Sequence, residues 1–208
     1  VIEESVLAAA SLLAFIAYFT FLIVLHIFPT GKNPLYNTIS DYSVGKFSVL
    51  ARSSTAINGI GILLLLAVLV QVVGMPPLTR TGLVWLAILA LSRLAMVFVL
   101  TDLSGQKVTP QGIAHMILAA LSFVAGVSAI TTLTRNLSTF NALHGIYRVL
   151  MILAEISTPL LVIVFVTVLL PKLRRWLGLT ERAFLLTINA WLLILVGWTF
   201  LYTIRVVH

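Results

Sequence analysis

Three stretches of 27 residues, 5–31, 53–79 and 108–134, contain no Asp, Glu, Lys or Arg. About 20 apolar residues in a helix cross the hydrocarbon core of a bilayer, and only helices or closed barrels satisfy their backbone there. Gaps of this length, three times over, constrain the chain to helices that span a membrane. The rest of the composition agrees. Of 208 residues, 61% are hydrophobic and 9% charged, with a mean hydropathy of +1.14. That is a polytopic membrane protein, not a soluble domain with an anchor. The net charge of +7 could suggest nucleic acid. The basic residues flank apolar spans, however, and no aromatic-plus-basic face is present, so no nucleic-acid partner is expected. The chain has no cysteine, which excludes disulfides, thiolate metal sites and a cysteine nucleophile.

The hydropathy pattern predicts an all-α, polytopic bundle of six transmembrane helices in one domain, 1–208. The expected spans are 5–28, 55–75, 82–101, 112–133, 145–170 and 183–204. The first is too long for a signal-peptide core and has no basic leader, so it reads as a true span. Pro29, Pro76, Pro77, Pro110 and Pro171 fall at or beyond span ends, where a missing N–H does least harm. The polar loop 29–54 is the long connection, with enough reach to fold back over the mouth of the bundle. Six spans put both termini on one side. The odd-numbered loops carry Lys32, Lys46, Arg52, Lys107, Lys172, Arg174, Arg175 and Arg182; the opposite face carries Arg80, Arg135, Arg148 and Arg205. This asymmetry predicts odd loops in the cytoplasm and termini outside.

Polar residues gather at the odd-loop end. Asp102 closes the third span and His115 opens the fourth. Ser40 and Asp41 lie in the first loop, and His26 ends the first span. Ala119, Ser122 and Gly126 follow His115 at helical spacing, a small-residue face that points the imidazole into the bundle. Two chemistries suit such a cluster. Asp41, Asp102 and His115 could hold a metal, although no His-x-x-x-His or His-Glu-x-x-His motif supports it. Alternatively Ser40, Asp41, Asp102 and His115 could work as catalytic acid, base and water-positioning groups. A structural role, with Asp102 capping a helix, competes with both. His26 and His115 are also candidate cofactor ligands, with no cofactor specified. Arg93 and Glu155 sit inside apolar spans, where charge is costly, and are expected to pair or to reach a wet cavity. Asn58-Gly59-Ile60-Gly61 precedes no phosphate-loop lysine and reads as helix packing.

The succession His26-Ile27-Phe28-Pro29, Asn33-Pro34, Ile39-Ser40-Asp41-Tyr42, Arg93, Thr101-Asp102, Gly112 with His115, and Gly178-Leu179-Thr180-Glu181-Arg182 resembles the family of small bacterial and archaeal membrane proteins called domain of unknown function 998. The chain departs at Leu100, where the family pattern suggests a proline before the Thr-Asp pair. The resemblance implies a six-helix bundle in a prokaryotic cytoplasmic membrane and no established activity. It points to Ser40, Asp41, Arg93, Asp102 and His115 as positions to test. A more distant likeness is to intramembrane metal-dependent lipid hydrolases, which carry a seventh span and paired histidines that this chain lacks. The leading expectation is an accessory subunit of a larger membrane complex or a lipid- or cofactor-binding membrane component. A membrane-embedded hydrolase of a lipid or amphiphile is the alternative. A small transporter, using Arg93 and Glu155 as a gated pair, is the third.

Overall fold

The computed structural model describes residues 2–72, 77–103, 106–138 and 143–207. Six helices among them are long and apolar enough to cross a membrane: α1 (Ile2–Ile27), α2 (Ser48–Val72), α3 (Pro77–Met96), α4 (Pro110–Leu137), α5 (His144–Leu169) and α6 (Leu177–Val207). The all-α six-span bundle is therefore present as expected. The helix ends differ from the hydropathy reading in ways that matter. Helix α2 begins at Ser48 and α6 at Leu177, each six or seven residues before the expected span. Both carry charged residues in their early turns, Arg52 on α2 and Glu181 and Arg182 on α6. A hydropathy reading stops at such charges, but a helix does not. Helix α3 stops at Met96 rather than running to residue 101. The expected end of the second span, Met75, lies outside the described residues.

Consecutive helices pack side by side, and α6 closes the ring against α1 while also touching α2 and α4. Half of the apolar window is buried in α3 and in α6, 50% each, against 22% for α1 and for α5. Helices α3 and α6 are thus the most enclosed, and α1 and α5 are the most open to lipid. Lipid tails are as apolar as leucine, so burial alone does not hold such helices together; close packing and interhelical hydrogen bonds must. Both are present. Gly59 and Gly61 let α2 approach its neighbours: a Cβ on Gly59 would lie 2.9 Å from Leu94, and one on Gly61 3.1 Å from Ala14. Ser11 donates to the Gly61 carbonyl at 2.8 Å. Asn58 Nδ2 donates to Asn189 Oδ1 at 2.8 Å, and Trp191 Nε1 to Thr134 Oγ1 at 2.9 Å. These bonds pin α1 to α2, α2 to α6, and α4 to α6.

The first loop does fold back over the bundle mouth. Its 3₁₀ turn, Ser40–Ser43, buries Asp41 and Tyr42. Tyr42 packs with Leu25 of α1 and Ala51 of α2. The opening turn of α6 clamps the loop from below. Arg182 Nη1 donates to the carbonyls of Pro34 (2.7 Å), Asn37 (2.5 Å) and Gly178 (2.9 Å), and Nη2 reaches the Tyr42 hydroxyl at 3.3 Å. The Leu179 amide donates to the Leu35 carbonyl at 3.1 Å. Gly178 permits this approach, because a Cβ there would sit 2.5 Å from the Asn37 carbonyl oxygen and 2.7 Å from that of Pro34. Replacing Gly178 with Ala should therefore cost about 1–3 kcal/mol by overpacking and loosen the loop. A lowered melting temperature in detergent, with faster proteolysis confined to residues 29–47, is the expected result. A variant that melts and resists protease like the parent would mean the clamp is not tight.

Candidate functional site

Because α3 stops at Met96, the segment after it has backbone carbonyls that side chains take. Arg52 Nε donates to the Val97 carbonyl at 2.9 Å. His115 Nδ1 lies 2.7 Å from the Val99 carbonyl. A carbonyl only accepts, so Nδ1 carries the proton and the neutral ring keeps its lone pair on Nε2. These two bonds draw α2 and α4 toward the end of α3 and frame a small cavity. Its roof is Ser40 and Ser43 of the first loop. Its walls carry Arg52, Arg93, His115 and Glu181.

The cavity is about 40 Å³. A buried water needs roughly 10–15 Å³ on such a scale, so the space suits two or three waters or one small polar group. Its lining is charged for a site at the membrane. Arg93 is 8% exposed, and His115 and Glu181 are each 6% exposed. Arg93 Nε and His115 Nε2 are buried with no hydrogen-bond partner among the described residues. Glu181 is held by the loop, its Oε2 accepting from the Ile39 amide at 2.6 Å. It also lies within electrostatic reach of Arg93. Two guanidinium groups thus line the cavity against one carboxylate.

The structure brings Ser40, His115 and Arg93 to this cavity. It uses the aspartates otherwise. Asp41 braces the loop that leads into its turn, Oδ2 accepting from Asn37 Nδ2 at 3.1 Å and from the Thr38 amide at 3.0 Å. Asp102 accepts from the Thr109 amide at 2.7 Å and the Thr109 hydroxyl at 2.9 Å. Thr109 in turn accepts from the Gly112 amide at 3.0 Å, with Pro110 next in line, a helix start built as the physical rules require. The Asp102 carboxylate lies where a Cβ on residue 112 would be. Among the described residues no group of three or more His, Asp or Glu is placed to hold a metal. Asp41, Asp102 and His115 do not form such a group among these residues, although both carboxylates lie within electrostatic reach of the imidazole.

Two further candidates lie elsewhere. His26 is outside the cavity, on the flank between α1 and α6. Its Nδ1 is 2.6 Å from the Leu22 carbonyl and its Nε2 accepts from Arg182 Nε at 2.9 Å, so both ring nitrogens are engaged. Arg93 and Glu155 are not brought together. Arg93 points into the bundle, whereas Glu155 is exposed on the outer side of α5. Sequence reasoning missed the parts that Glu181, Arg182 and Arg52 play. Glu181 and Arg182 had a signal, an acid–base pair at the start of a span.

The family model described as protein of unknown function (DUF998) matches residues 9–198, most of the chain. No curated protein and no solved structure matches it.

Asp102→Ala should remove the support of the Thr109 helix cap, lowering stability by up to the worth of that cap, about 0.5–2 kcal/mol. Thermal melting in detergent, run beside metal analysis of the same sample, checks this. A stoichiometric metal in the parent that disappears in the variant would return Asp102 to the role of ligand.

Proposed function

The chain belongs to the DUF998 family of polytopic membrane proteins, and we propose that it is a lipid-binding component that holds the anionic head of a membrane amphiphile beneath its first loop. One observation carries this reading. Two side chains more than nine-tenths buried, Arg93 and His115, line one cavity and each leaves a nitrogen unpartnered. Leaving a buried donor or acceptor unmade costs about 1–3 kcal/mol, more when the group is charged. A ligand oxygen removes that cost. Arg93 supplies a charge-assisted bond and the planar fork that suits a phosphate or carboxylate. His115 Nε2 accepts from a protonated head oxygen or, once protonated itself, donates to an ionised one. Arg93 lies one turn from the end of α3, a depth at which a lipid head can be met. The small volume favours a bare oxyanion over a sugar or a larger polar head.

Chemistry on that head is the alternative, with His115 as the base. The hydroxyls beside it do not favour it: Ser40 donates to Thr38 Oγ1 and Ser43 to the Ser40 carbonyl, so neither is bonded to the imidazole. The separation of Arg93 from Glu155 likewise gives a transporter reading no support.

Dodecyl phosphate added to the detergent-solubilised protein, followed by native mass spectrometry, tests the proposal. Arg93→Leu is expected to weaken binding by about tenfold or more, the worth of one charged hydrogen bond. Arg80→Leu, at the opposite membrane face, should leave binding unchanged. Equal binding by parent and Arg93→Leu would end this reading.

Glu155 favours a second role beside the first. It lies mid-span on the lipid-facing side of α5 and has no hydrogen bond or ion pair among the described residues. A carboxylate in bare lipid is costly, so a covering partner helix is the economical explanation, and an accessory-subunit role fits it. Extraction in a gentle detergent should give an assembly larger than one chain, and Glu155→Leu should release the chain from it. A parent that is already alone, and that melts higher once Glu155→Leu is made, would rule this out.

A further inference from the structure

A second space lies beside the head cavity, between α1 and α6. It is an apolar groove of about 380 Å³, walled by Phe19, Leu22 and Ile23 of α1 and by Leu185 and Leu186 of α6. Ile23 and Leu186 are 58% and 61% exposed, so the groove opens sideways toward lipid. Ile39 and Leu185 line both spaces and form the partition between them. The partition is set by the head cavity itself, since the Ile39 amide is held by Glu181. We propose that the groove holds the alkyl chain of the same anionic amphiphile, a lipid of the adjoining leaflet that enters the head cavity sideways past Ile39. This inference rests on the headgroup reading and names the remainder of the ligand.

Length and apolar walls suit an alkyl chain. The groove runs along α1 from Ile27 to Tyr18. Nine helical steps rise about 13 Å, close to half of a hydrocarbon core of about 30 Å. One leaflet's acyl chain has that reach. Charge also fits. Arg182 and His26 stand at the odd-loop end of the groove, where the chain of a lipid joins its phosphate. The Tyr18 hydroxyl, within 3.4 Å of Asn189 Nδ2, closes the deep end. Apolar walls, a cationic rim at one end and a polar cavity behind one isoleucine follow the order of groups in an anionic lipid.

The experiment uses the full chain in phosphatidylcholine nanodiscs doped with phosphatidic acid carrying a diazirine near its acyl terminus. After irradiation, labelled peptides are mapped. Label is expected on residues 18–27 and 185–186, and unlabelled phosphatidic acid should compete it away where phosphatidylcholine does not. Ile23→Trp, which fills the groove, should reduce the label severalfold while leaving butyl phosphate binding intact. Label spread evenly over the outer faces of all helices, or equal labelling by a diazirine phosphatidylcholine, would mean ordinary annular lipid and overturn the inference. The two readings fail separately. Loss of groove labelling with butyl phosphate still bound in an Arg93-dependent way removes only the chain site. Absence of butyl phosphate binding removes the headgroup reading beneath it.

Discussion

Arg182 ties together three parts of the chain that are far apart in sequence, and the mouth of the bundle depends on that tie. Its guanidinium takes carbonyls from residues 34, 37 and 178, the His26 ring at the end of α1 and the Tyr42 hydroxyl in the 3₁₀ turn. A lysine could not reproduce this, having one ammonium in place of a planar fork. Glu181, the residue before, secures the same loop at Ile39. The first loop is therefore a fixed roof, and the cavity beneath it has a defined ceiling. Without the roof, Arg93 and His115 would face water and lose the low-dielectric setting that makes a charged contact strong.

The bundle otherwise follows the economy of a membrane. Each interhelical hydrogen bond there contributes modestly, about 0.6 kcal/mol on average and seldom above 1.7. Asn58 with Asn189, Ser11 with Gly61 and Trp191 with Thr134 therefore act less as large stabilisers than as selectors of register. Each would leave a buried polar group unpaired if the helices slid. The helices that carry these bonds surround α6, the most enclosed of them. Helices α1 and α5 pack on the outside, and it is α5 that leaves Glu155 toward lipid. The fold thus separates a polar interior end, roofed by the loop, from an outer face with one unexplained charge.

How far the sequence revealed this depends on which physical signal each feature leaves. Six spans are legible because charge-free stretches have no other use in a chain of this composition. Their ends are not, because hydropathy registers where lipid ends and a helix ends where its backbone bonds are taken. Helices α2 and α6 run on past charged residues, while α3 stops early and surrenders the Val97 and Val99 carbonyls to Arg52 and His115. His115 was legible from the small residues that follow it on one helix face, and Arg93 from its cost in a span. Asp41 and Asp102 looked like ligands because carboxylates near a histidine suggest chemistry. The Thr109-Pro110 helix start, three residues before Gly112, was the signal that Asp102 serves a cap. Glu181 was hidden because its partner is the backbone of a loop 142 residues away, a contact that no local pattern encodes.

One consequence follows from Glu181 serving two spaces at once. Its carboxylate lies within electrostatic reach of Arg93 at the cavity and holds the amide of Ile39, one of the two residues that border both cavity and groove. An anion placed beside Arg93 competes with Glu181 for the same positive charge. The same carboxylate therefore borders the cavity electrostatically and fixes the backbone of a residue that separates it from the groove, so the two spaces share one side chain.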